Sequence, residues 1–205
     1  MNLDSSNKYS CHKNAGIQGL GDSSFDKPLI LKKTSVLKAT PPCGREDEIT
    51  PSSVEGPYFK PNSPRRNSLL ELGKEGDKLT VTGCVFSTDS EPVKEVLLDF
   101  WQADINGNYD EVGYNLRGHQ FSNDKGQYFL ETIVPGEYPG RTRHLHVKVQ
   151  APNKPVLTTQ LYFPGEVRNE KDLFFNDDLL MDIYKNSDGS INATFNFVLC
   201  LKKNH

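Results

Sequence analysis

The sequence predicts an all-β protein, an antiparallel β-sandwich with long loops and an extended N-terminal arm. From Thr50 onward, apolar and polar residues alternate with the two-residue period of a strand. Turn sequences rich in Gly, Pro, Asn and Asp separate these alternating runs. Several short strands at such spacing are typical of a sandwich, and 205 residues are enough for one substantial core.

The first 49 residues differ in composition from the rest of the chain. They are polar, rich in Gly, Ser, Asn and Lys, and show neither the helical nor the strand period. We therefore expect an extended, partly disordered arm over residues 1–49. A single sandwich domain is expected over residues 50–205.

Six runs after the arm are candidate strands, and one segment has helical spacing. The strand candidates are Lys78–Phe86, Val96–Gln102, Tyr128–Ile133, His144–Gln150, Leu157–Phe163 and Ala193–Leu201. The turns that separate them include NGN at Asn106, NDKG at Asn123, PGEYPG at Pro135 and SDG at Ser187. A single short helix is predicted within Lys171–Tyr184.

Charge and hydropathy exclude two classes of partner. The net charge is −3, from 24 basic and 27 acidic residues, and no basic cluster is present. This argues against a nucleic-acid partner. No run approaches the roughly 20 apolar residues that a membrane-spanning helix needs, so we expect no membrane partner.

The segment RHLHVKV places two histidines where a strand could present them together. His144 and His146 are two residues apart, and side chains at that separation share one face of a strand. Two convergent imidazoles can form half of a metal site. An H-x-H pair taken alone is more often incidental than metal-binding.

Two tyrosines at the ends of other strands strengthen the metal interpretation. Tyr138 lies in the turn PGEYPG, and Tyr109 ends the turn DINGNY after the apolar run VLLDFWQ. Phenolate is a hard oxygen donor and imidazole is borderline, so two of each suit a ferric ion. As structural residues, Tyr138 would cover a sandwich edge and Tyr109 would be a half-buried aromatic after a hairpin.

With these motifs the sequence resembles the intradiol ring-cleavage dioxygenases, the non-haem ferric enzymes related to catechol and protocatechuate dioxygenases. The resemblance runs from about Thr50 to Pro164 and rests on five separated motifs in the family's order. The motifs are VEGPYF from Val54, DFWQADINGNYD from Asp99, RGHQFSNDKGQYFLETIVPGEYPG from Arg117, RTRHLHVKV from Arg141 and LTTQLYFPGE from Leu157.

The resemblance implies one Fe(III) ion bound by Tyr109, Tyr138, His144 and His146. Tyr138 and His144 would be the axial ligands, and Tyr109 and His146 the equatorial ones. The implied reaction is intradiol cleavage of a catechol-type diol by O2 to a cis,cis-muconate-type product. Tyr138 would also accept a proton from the substrate, which makes it both a ligand and a catalytic residue.

Two further residues match catalytic positions of the family. Arg141 stands where the catalytic arginine of the family lies, and a permanently charged guanidinium there can stabilise negative charge on the ring. Gln160 matches an active-site glutamine that faces the substrate. The alternatives are a surface arginine beside Arg143, to which we assign no role, and a solvent-facing strand residue at position 160.

The motif VEGPYF implies a substrate-binding wall. Val54 and Pro57 match positions that pack on the aromatic ring in relatives, and Tyr58 is placed with them. Trp101, within an apolar strand, is predicted to be a core residue.

Only five residues separate Tyr138 from His144. Many bacterial relatives have a long insertion there, so we expect a more open site and a broad tolerance of substituted catechols.

The four cysteines bear on the cellular compartment. Cys84 and Cys200 lie in apolar strands, where free buried thiols are expected. Cys11 and Cys43 lie in the polar arm, where a bridge from at least one of them to the domain would tether a segment with little core, and in a secreted protein we expect the thiols to be largely oxidised. We therefore expect secretion, with a cytoplasmic enzyme as the alternative.

The length of the arm bears on the oligomeric state. The arm is too short for the helical dimerisation region of cytoplasmic catechol dioxygenases, so we expect a monomer.

Two other functions are compatible with the sequence motifs. A catalytically silent β-sandwich that binds phenolics is the first alternative to a dioxygenase. A zinc hydrolase using the H-x-H pair is the second, disfavoured because zinc rarely binds tyrosine.

Overall fold

Two packed β-sheets form the part of the chain that the computed structural model describes, residues 49–70 and 75–201. One sheet has the strand order β4-β1-β8-β7 with β9 also paired to β1, and the other has the order β3-β2-β5-β6. The strands are β1 (Lys78–Ser87), β2 (Leu97–Trp101), β3 (Arg117–Phe121), β4 (Gln127–Ile133), β5 (His144–Gln150), β6 (Leu157–Tyr162), β7 (Asp182–Lys185), β8 (Ile191–Thr194) and β9 (Phe197–Leu199).

The all-β sandwich predicted from the sequence is confirmed, with one difference in strand direction. The sheet that contains β2 and β5 is wholly antiparallel, whereas β1 pairs in parallel with both β8 and β9. The predicted arm lies outside the described residues except for Ile49. The division of the chain at residue 50 therefore stays a prediction.

The predicted strand Ala193–Leu201 is two strands with a break between them. At the break, the side-chain oxygen of Asn196 accepts a hydrogen bond from the Cys84 amide at 2.8 Å. A Cβ added at Gly83 would lie only 1.8 Å from the carbonyl oxygen of Phe195. The absence of a side chain at Gly83 therefore permits the close approach that separates β8 from β9.

The helix predicted within Lys171–Tyr184 is wrong. The segment instead contains the end of a 3₁₀ turn (Asn169–Lys171), a second 3₁₀ turn (Asp177–Leu179) and β7. Asp172 and Asn176 accept hydrogen bonds from the amides of Phe174 and Asp178, each at 2.9 Å. Such local side-chain bonds compete with helical hydrogen bonding. Strands β3 and β7 were also missed.

The two faces of the four-stranded sheet have different roles. Leu145, Val147 and Val149 of β5 point into the apolar cluster between the sheets. The alternate residues His144, His146 and Lys148 therefore point outward. The segment before β1 covers part of this outer face. It supplies the Phe59 ring, which lies 4.9 Å from the Trp101 ring and 3.7 Å from the Lys148 ammonium.

The cysteine prediction is corrected for two residues. Cys84 and Cys200 are disulfide-bonded, so the expectation of free buried thiols at these positions is wrong. An apolar strand environment does not distinguish a thiol from a half-cystine, because both sulfur forms are poorly hydrated. Cys11 and Cys43 lie outside the described residues. Within the described ranges, no helix has the length and apolar character needed to cross a membrane.

Candidate metal centre and active site

Strand pairing aligns the predicted site residues across the outer face of the four-stranded sheet. His146 of β5 pairs with Trp101 of β2 on one side and with Gln160 of β6 on the other. His144, the first residue of β5, pairs with Tyr162 of β6. Directly paired residues point to the same face, so the two histidines, Gln160 and Tyr162 belong to one surface.

Two tight loops pack against each other and bring the tyrosines to this surface. The Gly136 amide donates to the Asp104 carbonyl at 2.7 Å, which joins the loop before Tyr138 to the loop before Tyr109. Gly107 has a φ of +81°, and a Cβ there would lie 2.2 Å from the Glu137 carbonyl oxygen. Glycine is therefore required at this contact.

The structure brings the four predicted ligands together. The Tyr109 hydroxyl lies 3.3 Å from Nε2 of His144, and Nε2 of His144 lies 3.0 Å from Nε2 of His146. The Tyr138 ring is 6.1 Å from the Tyr109 ring, centroid to centroid. The Tyr138 hydroxyl lies 3.2 Å from that of Tyr58, whose ring stacks on Tyr109 at 4.5 Å.

Both histidines are buried and neutral, and a hydrogen bond orients His144. Nδ1 of His144 lies 2.7 Å from the Thr142 carbonyl oxygen, which can only accept a hydrogen bond. The ring proton is therefore on Nδ1, and Nε2 keeps its lone pair facing the site. Burial lowers the pKa of His144 to about 4 and holds the pKa of His146 well below its usual value.

Tyr109 must lose a proton to act as a strong ligand, and the protein alone opposes this. Burial raises its pKa, while the positive charges of Arg141 and Arg117 oppose that increase. A metal ion at the phenol oxygen would supply the missing positive charge. A cation at this position would therefore favour the phenolate form of Tyr109.

The donor set distinguishes among metals. Two imidazole nitrogens 3.0 Å apart need a proton or a metal ion between them, because their lone pairs otherwise repel. Within residues 49–70 and 75–201, no three His, Cys, Asp or Glu side chains converge as they do in zinc sites. Two phenols and two imidazoles fit a hard, highly charged ion such as Fe(III).

Arg141 lies in a buried polar network beside the predicted ligands. Its Nε donates to the Asp172 carboxylate at 2.8 Å, and its Nη2 donates to Oε1 of Gln160 at 2.6 Å. The guanidinium also lies over the Phe174 ring, 4.8 Å from the centroid. The Tyr162 hydroxyl is 2.8 Å from both Gln160 Oε1 and the Phe174 carbonyl, and donates its one hydrogen to one of them. Arg141 is therefore fixed and oriented.

An open cavity of about 430 Å³ adjoins this network. Its volume falls within the roughly 300–1,000 Å³ typical of small-molecule sites. Val54 and Phe174 connect the cavity to the network: the Val54 carbonyl accepts a hydrogen bond from Gln160 Nε2 at 2.7 Å, and the Phe174 ring stacks on Arg141. The remaining lining residues are Ser52, Ser53, Phe175, Asn176 and Leu179.

The three predicted wall residues occupy different places. Val54 lines the cavity, whereas Pro57 lies in an exposed turn and Tyr58 lies against Tyr109 and Tyr138. Substrate contact by these three residues stays a prediction. Trp101 is buried, as predicted, but its ring stacks on His146 at 4.7 Å rather than lying in the cluster between the sheets.

Four residues that complete the site were not found from the sequence. Tyr162 is two residues after Gln160 on the same strand, so the strand period alone could have indicated it. Thr142, Asp172 and Arg117 carried no comparable signal, because each acts through a contact distant in sequence or through a backbone atom. Arg117 is 1% exposed and donates to the carbonyls of Tyr58 and Asp110.

Known proteins of one family are similar to this chain. A dioxygenase family model matches residues 54–200. The chain is 28% identical over 196 residues to the intradiol ring-cleavage dioxygenase prcA of Aspergillus niger, covering 78% of this chain and 62% of that protein. It is 31% identical over 153 residues to a hydroxyquinol 1,2-dioxygenase of Nocardioides simplex, covering 62% and 52%. The chain thus spans about half to two thirds of the length of these curated relatives.

A solved structure is more similar. The dioxygenase domain of a dioxygenase–carbohydrate-binding protein fusion from Streptomyces sp. SirexAA-E is 55% identical, with a TM-score of 0.73. The alignment covers 75% of this chain and 99% of that one. The family match extends over most of the sandwich and includes every residue of the candidate metal centre. The chain therefore belongs to the intradiol ring-cleavage dioxygenase family.

Proposed function

We propose that this protein cleaves catechol-type diols with O2, between the two hydroxylated ring carbons, at one ferric ion bound by Tyr109, Tyr138, His144 and His146. The product would be of the cis,cis-muconate type. The observation that carries the proposal is the convergence of two phenols and two neutral imidazoles beside the Arg141–Gln160 pair. Membership of the intradiol family supports it.

The protein prepares these donors before any metal binds. Thr142 fixes the tautomer of His144, and burial keeps both imidazoles neutral. When bound, a ferric ion would act as a Lewis acid that withdraws electron density from the diol and so makes the ring reactive toward O2. No external reductant is needed in this chemistry, since the substrate supplies the electrons.

Tyr138 is proposed to take a proton from the substrate. A diol that binds a metal through both oxygens must release two protons: a phenolate near the metal would accept one, and the other would pass to solvent. The Tyr58 hydroxyl, 3.2 Å from that of Tyr138, offers a hydrogen-bond partner to the protonated form. Tyr58 would therefore hold Tyr138 while the substrate occupies the site.

Arg141 and Gln160 are proposed to act on the substrate rather than on the metal. Asp172 and Gln160 fix the planar guanidinium next to the cavity. Negative charge that develops on the ring would then meet a preorganised cation in a largely buried setting. The short connection between Tyr138 and His144 leaves room for substituents.

We also propose that the protein is secreted. The disulfide bonds of Cys84 and Cys200 support this, because disulfides persist in oxidising compartments and are rare in the cytoplasm. A monomeric state remains a prediction.

Oxygen uptake with product identification tests the proposed reaction. Purified protein given catechol should consume one O2 per diol and release cis,cis-muconate with both oxygen atoms incorporated. A yellow semialdehyde, from cleavage beside the two hydroxyls, would contradict the intradiol assignment. Saturable binding of catechol without oxygen uptake would favour the silent phenolic-binding module.

A further inference from the structure

We infer that the ring substituents of a bound catechol lie in the cavity beside Arg141, and that Asp172 determines which substituent charges are accepted there. By pairing with Arg141, it restricts the site to catechols whose ring substituents are uncharged. The inference rests on the proposed function, since it concerns the substrate of that same site. It is carried by the burial of the ion pair and by the chemistry of the cavity wall.

The ion pair is withdrawn from solvent. The side chains of Arg141 and Asp172 are 13% and 1% exposed, and Nε lies 3.0 and 2.8 Å from the two carboxylate oxygens. The carboxylate also accepts the amides of Thr142 and Phe174, each at 2.9 Å. With four such donor contacts the carboxylate is anionic, so the Arg141–Asp172 pair carries no net charge toward a substituent in the cavity, while the guanidinium N–H groups can still donate to negative charge that develops on the ring itself.

The residues that line the cavity supply no positive charge that could balance a bound anion. None of the described residues that line it carries a charge. Two arginines on neighbouring loops are also paired, Arg143 with Glu166 at 3.4 Å and Arg168 with Glu137 at 3.0 Å. A carboxylate that entered the cavity would lose its water without meeting a cation among the described residues that line it, and such desolvation is costly.

The serine and asparagine residues that line the cavity favour uncharged polar substituents over anionic ones. Ser52, Ser53 and Asn176 provide neutral hydrogen-bonding groups, while Val54 and Phe174 provide apolar contacts. Alkyl, aryl, hydroxyl or amide substituents can use these contacts without a charge partner. Catechols with such groups are therefore the substrate class that the cavity suits.

A pair of substrates matched in shape tests the inference in the unmodified protein. 3,4-Dihydroxybenzamide and 3,4-dihydroxybenzoate differ mainly in charge. We expect kcat/KM for the amide to exceed that for the carboxylate by about tenfold or more, a ratio equivalent to roughly 1.4 kcal/mol. Equal efficiencies, or a preference for the carboxylate, would overturn the inference.

The Asp172→Asn variant tests the charge selectivity by changing the protein instead of the substrate. Without the negative charge, Arg141 can attract an anionic substituent, so the benzoate-to-benzamide ratio of kcat/KM should rise about tenfold, mainly through KM. The amide that replaces the carboxylate also faces the donors of Arg141 and Thr142. Because this loosens the guanidinium, kcat with catechol should fall.

Glu166→Gln is the matched control, since it makes the same change in net charge at the more exposed Arg143 pair. Its substrate ratio should stay within about twofold of the unmodified protein, as expected for a partly exposed ion pair. An unchanged ratio in Asp172→Asn, or an equal shift in Glu166→Gln, would contradict a specific role of Asp172. Failure of the unmodified protein to cleave any of the three diols would instead refute the proposed function.

Discussion

Protein carrying His146→Ala is expected to purify without stoichiometric iron and to convert catechol at the background rate. His146 is 3% exposed and its Nε2 lies 3.0 Å from that of His144, so its loss leaves half of the imidazole pair. Loss of a residue that merely supports a metal ligand typically weakens binding by roughly 10–100-fold, and loss of the ligand itself should cost more. Iron content, measured together with catechol turnover, checks the prediction.

His119→Ala is the matched control for this variant. His119 pairs with Asp99, which lies two residues before Trp101 on β2. His119 therefore lies on the same face of the sheet as His146, in the neighbouring row of side chains. Its Nδ1 is 3.1 Å from the Ser63 hydroxyl, away from the metal centre. We expect this variant to keep its iron. If His146→Ala kept full iron content with a normal thermal transition, His146 would not be a ligand.

Arg141→Ala is expected to keep its iron and to lose most of its turnover. Loss of one preorganised group that stabilises transition-state charge typically lowers kcat by roughly 10²–10³-fold. The backbone between Tyr138 and His144 should remain in place, because Asp172 still accepts the Thr142 amide at 2.9 Å. Steady-state kinetics and metal analysis of one preparation measure both quantities.

The matched variant is Arg141→Lys, which keeps the charge but cannot donate to Asp172 and Gln160 with the same planar geometry. It should recover only part of the lost kcat. If Arg141→Ala lost its iron in proportion to its activity, Arg141 would be a structural support of the metal centre, and its proposed action on the substrate would be wrong.

The strand period predicted the part of the site that is local in sequence. His144 and His146 were placed on one strand face because alternation is a property of the backbone, and the pairing of β5 confirms that placement. Tyr109 and Tyr138 were assigned as ligands by resemblance to the family. The contact between their loops depends on Gly107 and Gly136, whose close approach no local pattern reveals.

The parts that were missed depend on contacts distant in sequence. Asp172 holds Arg141 from 31 residues away and is followed by irregular backbone, and the same segment was wrongly predicted as a helix. Apolar spacing indicated that helix, whereas side-chain hydrogen bonds from Asp172 and Asn176 determine the fold there. Arg117 was missed because a buried arginine on a strand contradicts the usual alternation of polar and apolar residues.

Metal analysis combined with a visible spectrum of the purified protein tests whether the four side chains bind iron. We expect one iron per chain and a visible charge-transfer band from ferric phenolate, which should change when catechol is added without oxygen. A folded, colourless protein with stoichiometric zinc, or with no metal after iron loading, would contradict it.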